Sequence, residues 1–76
     1  MQQSIDIFEY LTVKSGLNYI SDLTVRCNFI RARGALRNIP EHYYSLKEWK
    51  DLYNYVSGRY CKFNSIPEIK NALMKI

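Results

Sequence analysis

Long apolar runs are missing from this chain: none exceeds two or three residues, against the ~20 that a membrane-crossing helix needs. The first ten residues, MQQSIDIFEY, hold neither a basic stretch nor an apolar one, so no export leader is expected. The expected location is therefore the cytoplasm. Cysteine is scarce, with Cys27 and Cys61 lying 34 residues apart in no CxxC pattern. Without export, both are expected to be reduced thiols of the core type. Two thiols and one histidine cannot supply four thiol or imidazole ligands to zinc. The three glycines stand apart at 16, 34 and 58, which excludes a glycine-rich phosphate loop. The seven acids have no metal-loop spacing. His42, beside Glu41, falls in a polar link where solvated surface is the expected state, and no spacing signature pairs it with either thiol. No enzyme, cofactor, metal or small-molecule substrate is expected.

What the chain does have is material for one small core. Its 76 residues are 47 % apolar, with one Trp and three Phe. A chain of this length forms one domain and buries roughly 60–65 % of its unfolded surface. Residues 45–58, SLKEWKDLYNYVSG, organise the rest. Ser45 and Glu48 have capping-box spacing, Leu46, Trp49, Leu52, Tyr53 and Val56 form one stripe, and Gly58 suits a left-handed C′ position. The spacing predicts a helix over 45–57. A second is expected over 65–75, where Ser65 and Glu68 repeat the capping box and Pro67 falls in the first turn. Its apolar face is Ile66, Ile69, Ala72, Leu73 and Ile76.

Residues 4–14 read as a helix capped by Ser4, with Ile7, Phe8 and Leu11 on one face, Ile5 at its edge and Gly16 at its end. Residues 23–39 read as another, capped by Ser21 or Asp22 and ended by Pro40. Val25, Phe29, Ala32, Leu36 and Ile39 make its stripe, and Gly34 marks either a close approach or a break. Tyr19, Ile20 and Leu23 are expected to tuck inward from the connector before it. The fold class is mainly α, a compact single domain, residues 1–76, of about four short helices. A small two-stranded β element, residues 19–23 with residues 60–63, is an option, since Cys61 and Phe63 alternate with Tyr60, Lys62 and Asn64.

The charge is uneven. Residues 23–40 hold Arg26, Arg31, Arg33 and Arg37 with no acid, as much excess as the whole chain's net +4. At 100° per residue, Arg26, Arg33 and Arg37 lie within about 40° of one another. Such a row suits phosphates or an acidic surface, though an amphipathic helix also shows a solvated arginine face. A DNA-reading helix at 45–57 is disfavoured, because Glu48 and Asp51 flank Lys47, Lys50 and Asn54.

Five of the seven tyrosines fall between positions 43 and 60. Tyrosine and arginine are enriched where proteins dock. The leading expectation is a non-catalytic module binding another protein, or a second copy of itself, through Arg26, Arg33, Arg37, Tyr43, Tyr44 and Tyr55. The alternative is sequence-independent nucleic-acid binding through Arg26, Arg33 and Arg37.

Overall fold

The structure, a computed structural model, describes residues 6–75. Helix α1 spans Ile7–Lys14, and its N-cap is Asp6, whose carboxylate accepts the Glu9 N–H at 2.9 Å. The expected cap, Ser4, and the edge residue Ile5 lie outside the described residues. At the other end Gly16 takes φ +71°, and the chain closes with Gly16 N–H to the Val13 carbonyl and Leu17 N–H to the Thr12 carbonyl. This paired pattern, a Schellman motif, satisfies carbonyls that the helix leaves open. Thr12, a weak helix former, is buried with its hydroxyl donating to the Phe8 carbonyl at 2.8 Å.

The connector departs from expectation. Ile20–Thr24 winds into a 3-10 turn, held by Asp22 accepting the Tyr19 N–H at 3.2 Å. Of the three residues expected inside, only Leu23 is buried, while Tyr19 and Ile20 face solvent. Tyr19 is the N-cap of this five-residue segment, which winds through less than two 3-10 repeats and packs on the core through its Leu23 end. Among the described residues there is no strand, so the optional β pairing of residues 19–23 with 60–63 is not formed. Residues wound into a turn present no ladder edge to a partner.

Helix α2 spans Arg26–Arg37. Its N-cap is Val25, which has no side-chain oxygen to offer, and neither Ser21 nor Asp22 caps it. The turn before it consumes Asp22, which shifts the helix start beyond the reach of either polar residue. Val25 is consequently 47 % exposed rather than part of the stripe, whereas Phe29, Ala32, Leu36 and Ile39 are buried as spaced. Gly34 neither breaks the helix nor admits a neighbour, for a Cβ built there meets no atom within 4 Å. Cys27, on the first turn, is exposed, contrary to its expected core role; Cys61 is buried, and both thiols are free.

After a second 3-10 turn, Glu41–Tyr43, helix α3 spans Leu46–Ser57. Ser45 accepts the Glu48 N–H at 3.4 Å, and Gly58 is left-handed at φ +71°. Residues 59–65 then cross without regular structure to α4, Ile66–Met74. The cross-over alternates as expected, Cys61 buried and Phe63 half-buried against exposed Tyr60, Lys62 and Asn64. Its anchor is Asn54 of α3, whose Oδ1 accepts the Cys61 N–H at 2.6 Å. At α4 the Ser65 hydroxyl donates to the Glu68 carboxylate at 2.9 Å instead of capping the backbone.

Packing joins α1 to α2 and α3, and α4 to α3 and α2. Trp49 sits in the one core cluster at 0 % exposure, with Leu11, Leu23, Phe29, Leu36 and Ile69. The Cα radius of gyration is 11.4 Å, the value a compact chain of this length takes. The principal extents are 33 × 29 × 17 Å. Lys70 of α4 closes one side: its ammonium lies 6.0 Å from the Trp49 ring centre and donates to the Ile39 carbonyl at 2.7 Å.

Two stability outcomes follow. Gly34→Ala places a better helix former in open space, and should raise unfolding free energy by about 1 kcal/mol in a urea titration. A loss of stability would mean that the site is not an open helix interior. Lys70→Met keeps the stem and deletes the donor to Ile39, and should cost about 1.5 kcal/mol. An unchanged urea midpoint would show that the ammonium bond contributes nothing.

Candidate functional site

The six residues singled out by sequence divide among three places. Arg26, Arg33 and Arg37 share one long face of α2, since 26, 33 and 37 are separated by seven and four residues. Arg26 and Arg37 are exposed and Arg33 is half-buried. The Arg33 Nε is closed off from solvent with no hydrogen-bond partner among the described residues. Its stem therefore lies along the protein surface. Among the described side chains the ion pair is Lys47–Asp51 at 3.1 Å, which involves no arginine.

The tyrosines fare unequally. Tyr43 is 62 % exposed, with its ring edge-to-face on Tyr44 at 5.2 Å. Tyr44 itself is only 8 % exposed and belongs to the core, its ring also meeting that of Tyr10 at 6.4 Å. The link before α3 is short, so the last residue of the PEHYY run must turn inward to seat the helix. Burial, helped by the nearby Tyr43, Glu48, Tyr10 and Asp6, pushes the Tyr44 phenol from the usual 10.0 up to about 12. Tyr55 sits elsewhere, edge-to-face on Phe8 of α1 at 5.4 Å and 40 % exposed.

On α3, Lys47 is bound to Asp51 and Asn54 to the Cys61 backbone. Two of the three polar residues that a base-reading helix would present there are engaged within the chain. Among the described residues, no three His, Cys, Asp or Glu side chains converge as a metal site. No described helix is long and apolar enough to cross a membrane.

The structure also assembles residues that sequence reasoning did not join. Arg26, at the start of α2, faces Arg59, just past α3, and Lys75, just past α4. Together they line a cleft of about 410 Å³ whose walls include Phe29, Tyr53 and Val56. A smaller hollow of about 290 Å³ adjoins it, sharing Tyr53 and Arg59 and adding Tyr60, Lys62 and Phe63. Tyr53 and Phe63 brace each other edge-to-face at 5.6 Å. Tyr60 is 82 % exposed, the most open of the tyrosines. The run RYCKF alternates basic and aromatic residues, and that was the available signal. Its convergence with Arg26 and Lys75 depends on the return of α4 and has no local signature.

Comparison of the chain with protein-family models, with curated proteins and with solved structures finds no match.

The Tyr44 phenol sets an alkaline limit. Between pH 10 and about 12 the unfolded chain releases this proton while the folded chain holds it. Stability that is intact below pH 10 is thus lost as pH rises toward 12. In a spectroscopic tyrosinate titration Tyr44 should be the last phenol to ionise. Tyr44→Phe should delete that late step and flatten the alkaline fall in stability. A late step that survives the substitution would assign it to another tyrosine.

Proposed function

We propose that this chain is a non-catalytic binding module whose partner is nucleic acid, met through phosphate contacts of Arg26, Arg33 and Arg37. The observation that carries the reading is the uncompensated arginine row on α2: three guanidiniums on one face, with no acid on that helix and no ion pair to them among the described side chains. A guanidinium offers paired donors that match phosphate oxygens and stays charged at every physiological pH. A row of them on a helix follows a backbone of like charges without reading bases, so the binding is sequence-independent.

A protein partner, which the sequence alone put first, becomes the second reading. What favours it is Tyr43, a large exposed ring on a surface turn. What reorders the two is the division of the tyrosines: Tyr44 has little area left to offer, and Tyr55 already leans on Phe8. On the arginine row only Arg33 is half-buried, its Nε closed off, while Arg26 and Arg37 remain exposed.

Retention on heparin and binding of labelled mixed-sequence DNA, both falling steeply with salt, are the expected results. Arg33→Ala/Arg37→Ala should weaken DNA binding for all sequences alike and lower the salt slope by about 1 to 2. Absence of retention and of DNA binding at low salt would overturn the reading. Nuclease-resistant capture of one acidic protein, lost on Tyr43→Ala, would then favour the second.

A further inference from the structure

Three features stand outside the α2 row: a shallow hollow near His42 and Pro67, the exposed Cys27, and the basic cleft at the end of α3. The first is lined by no acid or base other than His42, and the second is a lone thiol. The third brings together charge, shape and flat rings, and among the described residues no carboxylate lines it.

We infer that this cleft and the hollow beside it form a groove for single-stranded nucleic acid, with phosphates on Arg26, Arg59 and Lys75 and an unstacked base on Tyr60. The inference rests on the nucleic-acid reading above and narrows it to one strand, adding Arg59, Tyr60 and Lys75 to Arg26, which the two surfaces share.

Size argues first. A cleft of about 410 Å³ falls in the range that holds a small molecule, enough for about one nucleotide unit, whereas a duplex is a broad convex cylinder. Only a flexible strand can lower a phosphate and its base into such a depression. Charge argues next. Three cations from three separate elements converge on the cleft, and Lys62 continues the series along the hollow. The α2 N-terminus adds to this potential, because Val25 supplies no capping oxygen and the first turn holds no acid.

The rings argue last. Stacking on an aromatic side chain needs a base whose face is open, a condition that a duplex does not meet. Tyr60 is open and directly adjoins Arg59, which borders both depressions. Phe63 and Tyr53, fixed against each other, form the wall behind it. Alternating cation and ring along one path is how proteins follow a strand without reading its sequence.

Fluorescence anisotropy with a labelled oligothymidylate of about ten nucleotides, set against a mixed-sequence duplex of equal length, tests the inference. The single strand is expected to bind about tenfold more tightly at low salt. Tyr60→Ala and Arg59→Ala should each weaken strand binding about five- to tenfold and leave duplex binding unchanged. Arg59→Ala should also reduce the strand's salt slope by about 0.7. Both side chains are exposed, so neither variant is expected to unfold the protein; circular dichroism checks this. Equal affinity for strand and duplex, with Tyr60→Ala silent and Arg33→Ala/Arg37→Ala weakening both, would overturn the groove and leave the nucleic-acid reading standing. Failure of both probes to bind at low salt would overturn the two together.

Discussion

Trp49 holds the molecule together from a position that no water reaches, and Lys70 fixes the lid over it. The indole is the largest of the fully buried side chains, in a cluster shared by every helix. Its Nε1 has no hydrogen-bond partner among the described residues, a cost of about 1–3 kcal/mol that a smaller ring would avoid. The ring's volume offsets that cost, since a chain this short has few other large residues with which to fill its centre. Lys70 then joins α4 to the chain just beyond α2, through the Ile39 carbonyl that Pro40 prevents from continuing a helix. One ammonium thus satisfies a loose carbonyl and covers the indole.

The parts of the fold written locally were legible in the sequence. Helix α3 shows this best, because Ser45, its stripe and Gly58 each specify the same element and each does so within one or two turns. Gly16 is another case, where a left-handed residue is needed and only glycine adopts that conformation without strain. The parts that depend on competition between neighbours were not. Asp22 can cap a helix or tie a 3-10 turn, and its capture by Tyr19 moved the start of α2 and pushed Val25 outside. Asn54 reads as a polar surface residue, yet it pins the irregular segment seven positions away. Tyr44 and Tyr43 are chemically identical neighbours, and only the geometry of the link decides which one faces inward.

The same distinction applies to the candidate binding residues. A row on one helix can be counted off at 100° per residue, so the arginines of α2 were visible in advance. The cleft could not be, since Arg26, Arg59 and Lys75 come from three stretches of chain that meet only when α4 folds back. Their clustering is unfavourable for stability, because like charges repel across a shared depression. Among the described residues no acid on the cleft wall relieves it. Charge uncompensated among the described residues is the observation on which the proposed groove and the proposed α2 row both rest.

The molecule is flattened, 17 Å through its thin direction against 33 and 29 Å across it. That depth suits two packed layers of helix with the Trp49 cluster between them. The interior is thus one shared sheet of side chains rather than a central ball, and each broad side rests directly on it. A cavity opened in that sheet removes support from both sides together, so core truncations should be felt over the whole of this small fold.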